Sequence, residues 1–381
     1  MNETSIVRES LHIREVEKAD LPSLLALEHQ CFTTDRLSRR SFRHWITTEG
    51  RVFLVAEWEG KVAGYLLIFL LRGTRLARLY SVAIDPQMRG KGIAKLLLLS
   101  GEEATKVLGC HYLRLEVSQQ NPVAISLYES MGYLQFGIYH DYYGDHSDAL
   151  RMQKRIRHIR LETTKQNMPW IRQTTPFTCG PASLMMAMSA LSDTYVASQH
   201  DELQIWREAT TIFMTSGHGG CHPMGLALAA KARGFEVEVW VNREGPLFID
   251  GVRNENKKRV MEMVHQDFEE QMQLCRIPIH YTDITQTELI AAAESGGVPI
   301  ILISTYRLDG KKAPHWVVLS GYDDTCLYVH DPDTDEKTQQ IALDCQFMPL
   351  SRNDFDKMSC FGSNRLRTAV VVRAQASQTI N

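Results

Sequence analysis

The sequence has no Cys-x-x-Cys pair, no long apolar run, no excess of either charge and no internal repeat. Its eight cysteines, at 31, 110, 179, 221, 275, 326, 345 and 360, follow no regular spacing. In a chain this long they are not needed as disulfide staples, so a reducing cytoplasm is the expected setting. The longest apolar runs, residues 65–71 and 298–304, fall far short of the roughly 20 residues of a membrane-spanning helix. The N-terminus is polar, carries acidic residues and lacks the apolar core of a secretory signal, so no membrane is expected as a partner. With 42 Lys and Arg against 45 Asp and Glu, the net charge is −3; no basic excess marks a bulk nucleic-acid partner, and no DNA is expected. The lack of repeats excludes a solenoid. At 381 residues the chain is longer than one core sustains, and two domains are expected.

The stretch Gln173-Thr-Thr-Pro-Phe-Thr-Cys179-Gly-Pro-Ala-Ser-Leu places a cysteine at the head of an apolar helical run ending at Leu191. A thiol at a helix N-terminus feels the positive end of the helix dipole, which favours the nucleophilic thiolate. Gln173, six positions upstream, is placed to supply an oxyanion-stabilising amide. The bland alternative is a small buried residue, as free cysteines usually are.

The first half reads as strands with an early helix. Residues 11–16 alternate like a half-buried strand, and Asp20 is placed to cap a helix carrying Leu21, Leu24 and Leu25 on one face. Residues 51–58 and 62–71 read as a hairpin, and 76–84 as a further strand. Then comes Val82-Ala-Ile84-Asp-Pro-Gln87-Met-Arg89-Gly90-Lys91-Gly92-Ile93-Ala94, in which a strand ends, two glycines turn the chain and an apolar helix begins. Such a turn presents unsatisfied amides and a helix dipole to an anion. It is neither a Walker loop nor the six-residue dinucleotide fingerprint. Downstream, 111–117 reads as a strand, and Asn121-Pro-Val-Ala124-Ile-Ser-Leu127-Tyr128-Glu-Ser-Met-Gly132-Tyr133 as a helix closed by glycine.

On Gln87-x-x-Gly90-x-Gly92-Ile-Ala, Leu115-Glu116-Val117 and Asn121-x-x-Ala124-x-x-Leu127-Tyr128-x-x-x-Gly132-Tyr133, residues 10 to 155 resemble the GNAT superfamily, in particular its ribosomal-protein-alanine N-acetyltransferase branch. The resemblance implies acetyl-CoA as cosubstrate, bound by Val82, Ile84, Gln87, the amides of Arg89, Gly90, Lys91, Gly92, Ile93 and Ala94, and by Asn121 and Tyr128. It implies that Tyr128 protonates the leaving thiolate and that Glu116 takes the proton of the attacking amine through water. Asn121 is expected to orient the turn and the cofactor. The end of the first helix and the loop expected after it, Glu28 to Phe42, lack the Pro-Trp common in that branch, whereas Asp141-Tyr142-Tyr143 resembles the tyrosine pair at its peptide site. An α-amino group of a peptide or protein, a ribosomal protein among them, is therefore the expected acceptor. The basic cluster Lys154, Arg155, Arg157 and Arg160 reads as a solvated face rather than an RNA site.

Residues 156–168 are polar and aperiodic and read as a linker. Beyond them, His315 heads an apolar strand and Asp331 ends the next, with Asp323-Asp-Thr between. In an antiparallel hairpin the start of one strand faces the end of its partner, so His315 and Asp331 are expected to be neighbours, with Asp333 a close rival. Here Gln173-x5-Cys179-Gly-Pro-Ala-Ser, His315-Trp-Val-Val-x-x-Gly-Tyr and Asp331-Pro332 resemble the papain-like bacteriocin-processing peptidases that cut after double-glycine leaders. The resemblance implies Cys179 as nucleophile, His315 as base and then acid, Asp331 as orienter and Gln173 as oxyanion donor. An acetyltransferase-like segment stands before the domain where such peptidases usually adjoin an exporter, so the reaction class is expected to carry over and the leader substrate is not. In Gly217-His218-Gly-Gly-Cys221-His222 a zinc site is the alternative to a cleft loop; with three ligands and no second cluster, no metal is expected.

The expected fold class is α+β: a GNAT fold over 10–155 and a papain-like cysteine peptidase fold over 169–375. The expected function is a bifunctional N-acetyltransferase and cysteine hydrolase. The alternative is an acetyltransferase whose second domain only presents a peptide.

Overall fold

The computed structural model describes residues 11–157, 164–165, 168–213, 218–250, 252–334 and 342–375. Most of the expected linker lies outside them, as do Arg160 and Gly217. The chain divides into two compact units, Met1–Arg160 and Leu161–Asn381.

The first unit runs β1 (Leu11–Glu15), α1 (Leu21–Cys31), α2 (Arg39–Thr47), β2 (Arg51–Trp58), β3 (Lys61–Leu70), β4 (Leu76–Ile84), α3 (Ile93–Val107), β5 (Tyr112–Ser118), α4 (Pro122–Ser130), β6 (Leu134–Tyr139) and β7 (Ala149–Arg155). Its strands form one sheet in the order β1-β2-β3-β4-β5-β7-β6. Both faces are covered, and the period of two along β3 shows how. Leu66 and Ile68 pack with Leu97 and Leu98 of α3, while Tyr65, Leu67 and Phe69 pack with Leu24 and Leu27 of α1 and Phe42 and Trp45 of α2. Two local readings are corrected. Asp20 does not cap α1; its carboxylate accepts from the Glu17 amide at 2.7 Å and from Arg14 at 2.8 Å. The segment after α1, read as a loop, contains α2, with Ser38 Oγ accepting from the Ser41 amide at 3.1 Å and Phe42 and Trp45 buried at helical spacing.

The strand pair β4 and β5 is parallel and pairs only at Leu76↔Tyr112, Ala77↔Leu113 and Arg78↔Arg114. Beyond Arg78 each strand keeps only its outer partner: β4 stays on β3 as far as Gly64↔Ile84, and β5 stays on β7 as far as Ser118↔Ala149. The sheet therefore opens into a fork, with the glycine turn at the end of one arm and α4 after the other.

The second unit contains β8 (Thr164–Lys165), α5 (Cys179–Leu191), α6 (Gln199–Ala209), α7 (Pro223–Ala232), β9 (Glu236–Val241), α8 (Glu255–Leu274), β10 (Ile279–His280), α9 (Gln286–Glu294), β11 (Val298–Ser304), β12 (Pro314–Tyr322), β13 (Cys326–His330), β14 (Met348–Ser351), α10 (Arg352–Met358) and β15 (Thr368–Arg373). The sheet order is β10-β9-β15-β11-β12-β13-β14, with β8 on β12. The strand β12 is apolar on both sides because both faces are covered. Trp316 and Val318 join the core of α5 to α8, and Val317 and Leu319 join that of α9 and α10. Helix α5 is buried from Cys179 through Met188, which its run of small and apolar residues permits. Among the described residues no helix is long and apolar enough to cross a membrane.

Candidate active sites

In the first unit the glycine turn is built for an anion. Gly90 and Gly92 have φ of +78° and +79°, a left-handed conformation that costs other residues roughly 1–2 kcal/mol. A Cβ on either would meet nothing within 4 Å. From Arg89 to Lys95 no backbone amide has an acceptor among the described residues; Leu96 is the first, on Gly92 O at 3.1 Å. These amides and the helix dipole fit the pyrophosphate of acetyl-CoA. The nearby cations are turned elsewhere. Arg89 Nε donates to Ile84 O at 3.4 Å, and Lys91 Nζ lies 5.3 Å from the Trp58 ring centroid.

On the other arm Asn121 Oδ1 accepts from the Ala124 amide at 3.1 Å and caps α4, which carries Tyr128. The Tyr128 ring is buried, and burial holds its pKa well above 10, so it stays a protonated phenol. Glu116 accepts from Arg78 Nε at 2.8 Å, both side chains being 5% exposed, and Arg78 also donates to Tyr142 OH at 2.7 Å. Tyr143 stands against Tyr142, with its pKa raised first by burial and then by Tyr142, Glu116 and Tyr128. Val82, Ile84 and Gln87 follow the fork on β4 and in the turn beyond it.

In the second unit Cys179 is the first residue of α5, and His315 and Asp331 lie at strand ends, all three buried. His315 Nε2 and Asp331 Oδ1 are 2.6 Å apart, and Cys179 is near enough to the same imidazole to raise its pKa. Burial opposes a charge on His315, but Asp331 and Cys179 outweigh it, and its pKa lies well above 6.5. The Asp331 carboxylate is fixed by the Asp333 amide, which donates to Oδ1 at 2.9 Å. The rival Asp333 thus supports Asp331 and does not replace it. Gln173 is buried, and its backbone amide donates to Pro332 O at 2.9 Å.

Residues 168–373 match the model of the Peptidase_C39 like family. The chain belongs to that family. Residues 19–133 match the Acetyltransferase (GNAT) family. Over this part the chain is similar to the uncharacterized N-acetyltransferase MJ1530 of Methanocaldococcus jannaschii, at 31% identity over 144 residues, 38% of this chain and 90% of that protein. It is also similar to a putative [ribosomal protein bS18]-alanine N-acetyltransferase of Bacillus subtilis, at 29% identity, 37% of this chain and 92% of that protein. A crystal structure of the ribosomal-protein-S18-alanine N-acetyltransferase from Escherichia coli covers 39% of this chain and 96% of its own, at 27% identity and a TM-score of 0.37. The first unit is a GNAT acetyltransferase domain, which implies acetyl-CoA as cosubstrate, and the second is a C39-like domain.

Several supporting residues had no sequence signal of their own. In the GNAT domain these include Arg78, whose only mark is a charge inside an apolar strand, and Glu28, buried with Tyr65 OH and the Leu37 amide on its carboxylate. Burial raises the Glu28 pKa against those hydrogen bonds. In the C39-like domain Cys221 packs on the helix that carries Cys179: a Cβ on Gly180 would lie 2.9 Å from Cys221 Cβ. His222 spends both ring nitrogens on protein partners, Nδ1 accepting from the Met224 amide at 3.2 Å and Nε2 meeting His265 Nδ1 at 3.0 Å. His218 is exposed and lies 5.0 Å, centroid to centroid, from Phe177, which also meets Trp206 at 4.9 Å.

Proposed function

We infer that the chain is a bifunctional enzyme, an acetyl-CoA-dependent N-acetyltransferase for an α-amino group of a peptide or protein joined to a cysteine hydrolase that cuts an amide. The observation that carries the second activity is the 2.6 Å contact of His315 with Asp331 beside Cys179 at a helix N-terminus. A module that only presented a peptide would not need a buried imidazole paired with a buried carboxylate beside a thiol.

In the hydrolase, the Cys179 thiolate attacks the amide carbonyl carbon while the Gln173 amide donates to the oxygen that becomes an oxyanion. His315, charged, gives its proton to the departing amine as the C–N bond breaks. Neutral His315 then takes a proton from water, which attacks the thioester and releases Cys179. Asp331 holds the ring through Nε2, which leaves Nδ1 as the nitrogen that would serve the thiol. In the acetyltransferase, Glu116 accepts the proton of the acceptor amine as its nitrogen attacks the acetyl carbon. The Tyr128 phenol protonates the thiolate that leaves. Arg78 supplies the opposite charge that a buried Glu116 carboxylate requires. The name of the Bacillus subtilis relative and the Tyr142 and Tyr143 pair beside Glu116 support a peptide α-amine as acceptor. Eight free cysteines fit a reducing compartment.

The test is incubation of the full chain with acetyl-CoA and a peptide library, read by mass. Mass gains lost in Tyr128→Phe and cleavage products lost in Cys179→Ala are expected. Cleavage that persists in Cys179→Ala refutes the hydrolase assignment.

A further inference from the structure

The turn carrying Gln173 is held at both ends. Gln173 N–H donates to Pro332 O at 2.9 Å, and Trp170 Nε1 donates to Asp331 O at 2.7 Å, which ties the incoming chain to the segment of the orienting aspartate. On the outgoing side, Thr174 gives both of its donors to one carboxylate: its amide to Glu202 Oε1 and its hydroxyl to Glu202 Oε2, each at 2.8 Å. Glu202, on α6, has no solvent exposure. A carboxylate buried this deeply is costly unless strongly hydrogen-bonded, and it spends both oxygens on the residue that follows Gln173. The Gln173 side chain has no such anchor of its own, since its buried Oε1 meets no donor among the described residues. Where its amide points is therefore set by the backbone on either side.

We propose that Glu202 is a positioning residue that sets the Gln173 amide for the oxyanion, a role that rests on the hydrolase reading above. It acts through Thr174 and touches no reacting atom. The consequence is selective: loss of the clamp weakens stabilisation of the tetrahedral oxyanion and leaves the Cys179 and His315 pair intact.

Two measurements on the full chain separate these effects. One is hydrolysis of a 4-nitrophenyl ester, with the rate of Cys179→Ala subtracted. The other is alkylation of Cys179 by iodoacetamide, which needs the thiolate and no oxyanion hole. Glu202→Gln keeps the shape but sets an NH2 against a donor; it is expected to lower kcat about tenfold to a hundredfold. KM and the alkylation rate stay at wild-type values. Thr174→Val, which retains the amide and loses only the hydroxyl, lowers kcat by less and remains informative should Glu202→Gln not fold. Adding Gln173→Ala to Glu202→Gln lowers kcat little further, because both act on one interaction. An unchanged kcat in both clamp variants, or alkylation that slows in step with kcat, overturns the proposal. A wild-type chain that hydrolyses no ester overturns the hydrolase reading itself, and this proposal with it.

Discussion

His315 shows how much of the second site is decided by single contacts. A buried histidine ordinarily loses its charge, yet the carboxylate of Asp331 and the sulfur of Cys179 reverse that preference. Because its folded pKa is raised, the imidazolium contributes stability that is fully present below about 6.5 and is lost as pH rises through the folded value. The same sign governs activity. Asp331→Asn keeps the shape and removes the charge, so His315 gives up its proton at lower pH. The alkaline limb of the kcat/KM profile for hydrolysis is expected to move toward acid, with a fall in kcat of roughly a hundredfold to ten-thousandfold. A profile whose alkaline limb stays in place would show that Asp331 does not set the charge. Cys179 and Tyr128 were legible because each sits inside a local motif. Arg78 and Glu202 were not, since their partners stand 38 and 28 residues away along the chain.

At the scale of elements, the junction of α7 and α8 is organised by His222, which caps α7, and His265 of α8, both buried. His222 Nδ1 accepts from the Met224 amide, so Nε2 carries the hydrogen toward His265 Nδ1. The far nitrogen of His265 then faces Glu269 Oε1 at 3.3 Å. Burial lowers the pKa of both rings; His265 lowers that of His222 further, and Glu269 partly opposes the fall in His265. Unfolded histidines take up protons as pH falls through about 6.5, and this pair resists, so the unfolded state binds more protons below that pH. Stability is present above about 6.5 and is lost as pH falls. Calorimetry on the full chain is expected to show the Tm of the C39-like domain dropping on acidification. His222→Asn, whose Oδ1 still reaches the Met224 amide, should flatten that dependence. Equal slopes in wild type and variant would remove His222 from the account. Helix α2 was missed because Arg39 to Thr47 opens on two arginines and carries Arg43 and His44 between its apolar residues; Phe42 and Trp45, with Ile46 partly buried beside them, mark the face that packs on the sheet.

For the molecule as a whole, the two proposed chemistries are complementary. Hydrolysis of a peptide amide releases an α-amine, and an α-amine is what the GNAT domain is proposed to acetylate. A peptide with a blocked N-terminus and a cleavable internal bond should gain acetyl label from acetyl-CoA in the wild type and gain none in Cys179→Ala. A pre-cleaved peptide with a free N-terminus should be labelled equally by both. Label on the blocked peptide in Cys179→Ala would show that the activities are independent.

Fold class and family were determined by the sequence alone, because they rest on local rules. Period-two strands, a positive-φ glycine pair before an apolar helix, and a cysteine heading another are all written within a few turns of chain. The fork between β4 and β5, the choice of Asp331 over Asp333, the pairing of Arg78 with Glu116 and the clamp of Glu202 on Thr174 were decided only in three dimensions. Each depends on which buried polar groups meet across the fold. A buried charge or amide is costly without a partner, and the identity of that partner follows from packing.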